Sequence, residues 1–518
     1  MNAGSYLTRA ARHHPDGLGA VFGEHRLTWA ELNGRANAFA AGLRRLGVRP
    51  GERVGLCMTN SHRYLEALFG TFKAGAAAVP INYRLTADEV TYHLSDPRAS
   101  AVVASAEFAD LAEVAAAQVP SLEHRIVTSG ARPGQHDYET FVSETAKAGD
   151  DDADVAGDDL AWLFYTSGTT GRPKGVMLTH AVIRAATVGA AADLVPFSPE
   201  HRMLHSAPLS HGAGFVAIAA TSKATANIIL DKFDPALVCQ VIERERVTAA
   251  WFVPTQIKML ANSPEIDRRD LSSLAYVVYG GAPMYLEDLQ FALRRMGRVF
   301  VQLFGQGESP MTGTYLRREE HVIDGTEEET RRMLSAGIAR TDIEVRIVDE
   351  DDRPVDAGES GEICLRGPTV MKGYWERPDD TAHTLRGGWL HTGDVGYQDE
   401  RGYLYVVDRM KDMVISGGMN IYPREVEEAL CAHPAVFECS VIGVPDPKWG
   451  EAVKAVVVLR PDATATEAEL IEHCKASLAS FKKPSSVDFV DDIPKSGYGK
   501  ILKRQLRERY WAGHTRRV

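Results

Sequence analysis

No run of 18 apolar residues occurs in this chain, so a membrane-spanning helix is excluded. The six cysteines (Cys57, Cys239, Cys364, Cys431, Cys439 and Cys474) contain no Cys-x-x-Cys pair, which argues against a zinc or redox motif. Scattered thiols of this kind suit a reducing compartment. The N-terminal residues, with Arg9, Arg12, His13 and His14 among alanines, lack the apolar centre of a signal peptide. The last residues, Thr515 to Val518, carry neither a peroxisomal nor a prenylation signal, so a cytoplasmic location is expected. Basic residues are outnumbered, 58 to 70, for a net charge of −12, and a nucleic-acid partner is therefore not expected. No glycine loop ends in Gly-Lys-Ser/Thr, so there is no Walker motif.

What is present is an ordinary soluble composition, 44% hydrophobic and 25% charged, on a chain of 518 residues. That length exceeds what one core supports and predicts two or more domains. Thr28-Trp29-Ala30-Glu31 forms a capping box ahead of Leu32, Ala36, Phe39, Leu43 and Leu46 at helical spacing, and Gly47 ends that helix. Residues 53–58, 76–80 and 99–104 read as strands, separated by helices over 61–74 and from Thr86 onward. Such alternation predicts βαβ units and a mostly parallel sheet. Short apolar runs at 227–230, 248–253 and 274–279 continue the pattern. Beyond Gly361 the segments 362–366, 388–392 and 403–407 are short and glycine-punctuated, as in a small β unit. A polar stretch at 408–412 predicts a domain boundary, followed by a tail with two βα-like units and a basic end.

The stretch richest in chemistry is Tyr165-Thr166-Ser167-Gly168-Thr169-Thr170-Gly171-Arg172-Pro173-Lys174-Gly175. The run 160–164 leads in as a buried strand, and residues 176–192 predict a helix after it. Glycines permit positive φ and close backbone approach, so successive N–H groups form an anion nest; hydroxyls and Lys174 add donors and charge. Five further groups follow. Ala207 to Gly214 sets His211 in a small-residue turn, and Gly280-Gly281-Ala282-Pro283 follows a strand end, where ligands approach parallel sheets. Gln302 to Glu308 offers an aromatic face, two glycines and a carboxylate suited to Mg²⁺ beside phosphates. Thr392-Gly393-Asp394 puts a carboxylate at a strand end, and Pro494 to Lys500 sets a lysine on a glycine loop.

In this order and spacing the motifs resemble those of the superfamily of AMP-forming acyl-CoA synthetases, adenylation domains and firefly luciferase, over nearly the whole chain. The resemblance implies an α/β fold with a large N-terminal domain, residues 1–408, of two αβ subdomains plus a small β-barrel. It implies a small mobile α+β C-terminal domain, residues 409–518, with Lys411 at the hinge. The implied reaction has two steps: a carboxylate attacks the α-phosphate of ATP, giving acyl-adenylate and pyrophosphate, and a thiol, usually coenzyme A, then displaces AMP. Phosphoryl transfer of this kind needs charge neutralisation and alignment, which the loop, Mg²⁺ and lysine supply.

By the same resemblance Thr166, Ser167, Gly168, Thr169, Thr170, Gly171 and Lys174 cradle the triphosphate, and Glu308 ligates Mg²⁺. Phe304, with Gly305 beside it, stacks on adenine, while Gly281, Ala282 and Pro283 line the base. Asp394 and Arg409 hold the ribose. Lys500 bridges carboxylate and α-phosphate, His211 orients the acid, and Gly417 and Gly418 reach the site during thioester formation. Two positions depart from the family pattern. Gly307 stands where threonine usually precedes the metal-binding glutamate, and Phe304 replaces a tyrosine. A missing threonine donor would cost about 1–3 kcal/mol, with Gln306 or a water as the compensating donor.

The expected substrate is a hydrophobic carboxylic acid, fatty or aromatic, with a slight lean to the aliphatic. No acidic residue lies between Ala207 and Lys223 to hold an α-amino group. The rival readings are loading of a separate acyl-carrier protein and nucleotide binding without turnover. A homodimer is among the assemblies the sequence allows.

Overall fold

The computed structural model describes residues 1–166, 172–282, 284–417, 419–495 and 501–511. Among them the chain builds four sheets. The first contains Arg53–Cys57, Ala77–Pro80, Ala101–Ala104, His124–Val127 and His136–Asp137, continued by β1 (Leu160–Thr166) and closed by β2 (Lys174–Thr179). All its pairings are parallel except that of β1 with β2. Ala77–Pro80 and Ala101–Ala104 are buried along their whole length. Continuous apolar runs of this kind mark strands covered on both faces, which is why the alternating pattern was legible.

The second sheet has Leu18–Phe22 and His25–Thr28 at one edge and runs through Ala226–Ile229, Arg202–His205, Ala249–Phe252 and Tyr276–Tyr279. It continues into β3 (Phe300–Gln306) and β4 (Ser309–Leu316). Helix α1 (His180–Asp193) and helix α2 (Gly212–Ser222) pack together in the core between these sheets, where Trp162 of β1 stacks on Phe215 of α2 at 4.4 Å. The predicted capping box of Thr28 with Glu31 forms, and the helix expected from Thr86 onward is capped in the same way by Thr86 with Glu89.

The third sheet is antiparallel. It joins Glu344–Val348 and Gly361–Arg366 to β5 (Leu390–Gln398) and β6 (Leu404–Arg409), with helix α3 (Pro378–Thr384) before β5. The chain leaves it at Arg409, makes a short turn over Met410–Asp412, and enters a fourth sheet at β7 (Val414–Ser416) and β8 (Met419–Ile421). Helix α4 (Pro423–Cys431) covers that sheet, whose long hairpin is Val436–Asp446 with Gly450–Leu459. A separate hydrophobic cluster, including Val426, Leu430, Val441 and Ala455, fills it.

One sequence expectation fails. Residues 176–192 are not a continuous helix: β2 occupies Lys174–Thr179 and α1 begins at His180. Val176 and Leu178 are buried while Met177 between them is half-buried, a period-two pattern too short to stand out before a helix. Thr179 is the helix N-cap, accepting from Val182 N–H at 3.3 Å.

Candidate functional site

The glycine-rich run joins two antiparallel strands rather than a strand and a helix. The ladder of β1 and β2 ends at the pair Thr166 and Lys174, so these two residues are the posts of the loop and share a face. Ser167, Gly168, Thr169, Thr170 and Gly171 lie outside the described residues.

Thr166 donates its hydroxyl to Glu308 Oε1 at 3.1 Å, and the Tyr374 hydroxyl donates to the same oxygen at 2.9 Å. Glu308 sits in the tight turn between β3 and β4 and is only 8% exposed. Burial and the Glu308 charge push the Tyr374 phenol well above its ordinary value, so it remains a proton donor. Lys174 Nζ is 2.6 Å from Asp380 Oδ1 and 5.2 Å from the centre of the Tyr374 ring.

These contacts follow from how one distant segment is laid down. Residues 371–375 run along the outer edge of β2, with Lys372 N–H to Met177 O at 3.0 Å and Met177 N–H to Gly373 O at 2.9 Å. Trp375 N–H to Gly175 O follows at 2.7 Å. Met371 N–H reaches the Glu308 carbonyl at 2.8 Å. Tyr374 is thereby fixed between the lysine of the loop and the carboxylate of the turn.

A second group gathers around Asp394. Register places Asp394 of β5 opposite Arg409 of β6, and Arg409 Nε is 3.3 Å from Asp394 Oδ1. Gln306 donates to Asp394 Oδ2 and to the Thr392 carbonyl, both at 3.2 Å. Gly393 takes φ +69°, a conformation that favours glycine, and its N–H donates to Glu362 Oε1 at 3.0 Å. Glu362 Oε2 accepts from His391 Nδ1 at 2.8 Å and from Arg386 at 3.1 Å. Glu362, Cys364 and His391 are close enough to share a cation, but Arg386 already supplies positive charge there. Their evident effect is to hold the turn that presents Asp394.

Phe304 and Gly305 end β3, half-buried, and Gly281 and Ala282 follow the neighbouring strand Tyr276–Tyr279. Gly281 has φ +81°, and a Cβ on Gly280 would lie 2.4 Å from the Leu303 carbonyl, so glycine permits the close strand approach. Pro283 is outside the described residues. A Cβ on Gly307 would sit 2.4 Å from Thr166 Cγ2 and 2.8 Å from the Phe164 ring. The space of the absent threonine side chain is thus filled by Thr166 and Phe164. The expectation that Gln306 compensates is corrected, because its amide is committed to Asp394 and Thr392.

The sequence matches AMP-binding enzymes over residues 7–375, and the C-terminal domain of AMP-binding enzymes over residues 425–500. The chain belongs to the AMP-binding enzyme family. It is 41% identical over 512 residues to a feruloyl-CoA synthase of an Amycolatopsis species, covering 98% of this chain and 99% of that one. It is 37% identical over 530 residues to the medium/long-chain-fatty-acid–CoA ligase FadD8 of Mycobacterium tuberculosis, covering 99% and 91%. The solved anthranilate CoA ligase AuaEII, in complex with anthranoyl-AMP, superposes with a TM-score of 0.90 at 28% identity, covering 98% and 97%.

In this AMP-binding enzyme His211 precedes α2, with Nδ1 2.7 Å from the Ser210 carbonyl and the ring 4.8 Å from Phe164, edge-on at 64°. Burial pushes its imidazole down to about 3, so it is neutral near pH 7. Trp251 lies against Gly212, 3.0 Å from where a Cβ would be, so Trp162, Phe164, Phe215 and Trp251 make an aromatic wall beside His211.

Lys411 lies in the turn over Met410–Asp412, and Arg507 donates to its carbonyl at 3.2 Å and pairs with Asp412 at 3.0 Å. Burial and the nearby Arg409 charge push its ammonium down. Gly417 has φ +58° with Trp449 packed 2.7 Å from its missing Cβ. Gly418 and Lys500 lie outside the described residues. The sequence reading missed Tyr374, Asp380 and Glu362. A tyrosine and an aspartate flanking Pro378 carried no motif by themselves, and only their lacing to β2 reveals them.

Proposed function

We propose that this enzyme activates a hydrophobic aryl carboxylic acid with ATP and transfers the acyl group to coenzyme A, releasing AMP and pyrophosphate. The observation that carries the reading is the convergence of Thr166 and Tyr374 on Glu308, with Lys174 over the Tyr374 ring and Gln306 joined to Asp394 beside Arg409. Lys174 and the glycine loop would face the triphosphate, and Asp394 with Arg409 would hold the ribose hydroxyls. Gly281, Ala282 and Phe304 would enclose the base, and Lys500, on its glycine loop, would bridge the acid and the α-phosphate.

The residues present fit Mg²⁺: Glu308 is a buried carboxylate whose two described bonds come from neutral hydroxyls, a hard oxygen donor whose charge is left for a cation. When bound there, Mg²⁺ would neutralise phosphate charge. Thr166 and Tyr374 hold the carboxylate in place, and neutral His211, its Nδ1–H given to the Ser210 carbonyl, leaves Nε2 as an acceptor.

The likeness to feruloyl-CoA synthase supports an aryl acid, and the aromatic side chains packed around His211 make its surroundings apolar. The likeness to FadD8 keeps an aliphatic acid as the second reading. Residues 1–408 would carry both pockets, and residues 409–518 would turn about Lys411 between the two steps.

A coenzyme A ligase assay over hydroxycinnamates, benzoates and fatty acids of graded length tests this. Highest kcat/KM is expected with an arylpropenoic acid. Turnover confined to fatty acids refutes the aryl assignment, and absence of pyrophosphate release with every acid refutes the activity.

A further inference from the structure

Lys174 already has a partner of opposite charge where the phosphates would need it. Asp380 lies 2.6 Å from its ammonium, with the lysine side chain 9% exposed and the carboxylate 33%. The pair is not a chance meeting of two flexible side chains. Lys174 is the first residue of β2, and Asp380 is in the first turn of α3, whose approach segment is hydrogen-bonded along the edge of β2. Between them Tyr374 presents its ring to Lys174 and its hydroxyl to Glu308. Just before α3, Arg377 donates to the Tyr92 hydroxyl at 3.3 Å, and that hydroxyl donates to the Pro173 carbonyl at 2.9 Å. Arg172 stacks over the Tyr92 ring at 5.4 Å. One segment, residues 374–380, therefore clamps the exit of the glycine loop at three points and delivers a carboxylate to its lysine.

A carboxylate in that place opposes a polyphosphate in two ways. It neutralises the cation that would attract the phosphates, and it repels them itself at short range. Binding must either share Lys174 or displace Asp380 from it, whereas departure restores an ion pair that is already built. Nothing in acid activation requires this, since a free lysine would hold ATP more strongly. What it favours is release of the inorganic product.

Resting on the acyl-adenylating reading above, we propose that Asp380 is the resident counter-ion of Lys174 and weakens the hold on pyrophosphate, setting how readily that product leaves. Asp380 is a positioning residue for Lys174 and not a group that reacts.

The experiment measures binding of inorganic pyrophosphate to the full chain by calorimetry, and its inhibition of the acid-dependent reaction, for the native protein, Asp380→Asn and Asp380→Glu. Asp380→Asn should bind pyrophosphate about tenfold more tightly, a charge effect that shrinks as salt is raised. Asp380→Glu should return the affinity toward the native value. Asp380→Ser serves as a second neutral variant if the asparagine form does not fold. Equal or weaker pyrophosphate binding in a folded neutral variant overturns the role of Asp380 while leaving the acyl-adenylating reading intact. Failure of the native chain to bind either ATP or pyrophosphate overturns both.

Discussion

Gly307 shows how a departure at one residue is absorbed by its neighbours. Glu308 keeps a hydroxyl donor because Thr166 places its methyl in the space next to Gly307 and turns its oxygen to the carboxylate. Restoring the family's threonine by Gly307→Thr should therefore harm this enzyme. Its Cβ would meet Thr166 Cγ2 at 2.4 Å and the Phe164 ring at 2.8 Å. Overpacking of that kind costs about 1–3 kcal/mol, here spent on pulling Thr166 away from Glu308. ATP–pyrophosphate exchange should fall by about fivefold to 150-fold, since a factor of ten corresponds to about 1.4 kcal/mol. Adding Thr166→Ser, which deletes the obstructing methyl and keeps the hydroxyl, should recover part of the loss. Full activity in the single variant would show that the packing around Gly307 does not constrain the site.

At the scale of elements, legibility depended on whether a function was carried by contiguous residues. The parallel strands were readable because burial on both faces leaves unbroken apolar runs, and Thr28 announced its helix through a capping box. The loop at 165–175 and the Thr392-Gly393-Asp394 turn were readable because glycines and polar groups cluster within a few residues. Strand β2 was not, since Lys174–Thr179 is six residues long and runs straight into α1. The clamp formed by Tyr374, Arg377 and Asp380 was not readable either. Its partners Glu308, Tyr92 and Lys174 lie far away in the chain, and only the pairing of residues 372–375 with β2 brings them together. The turn over Met410–Asp412 carries a prediction at this scale. If it is the pivot, Lys411→Pro should block thioester formation from supplied acyl-adenylate yet spare adenylation. Lys500→Ala should do the reverse. Both half-reactions can be followed separately, and normal thioester formation by Lys411→Pro would remove the pivot assignment.

For the whole molecule, a set of buried neutral histidines ties stability to pH. Burial pushes His62 down to about 3, and His180, His205 and His321 down to about 4. Like-charge neighbours Arg63 and His25 add to the effect at His62. In the unfolded chain each would titrate near about 6.5, so below that pH the unfolded state holds more protons and stability is lost as pH falls. Glu66 and Asp408 act in the opposite sense, because burial raises both and they take up protons sooner when folded. With His211, also pushed down to about 3, five histidines against two carboxyls leave unfolding near pH 5 accompanied by net uptake of about three to five protons, or about 4–7 kcal/mol lost per pH unit. The melting temperature should thus decline steadily from pH 7 to pH 5. His321→Gln, at a ring held by Tyr279 and the Arg317 carbonyl, should flatten that decline by the share of one proton. A melting temperature that holds constant over this interval would mean that these histidines are hydrated or charged in the folded protein, contrary to the packing that surrounds them.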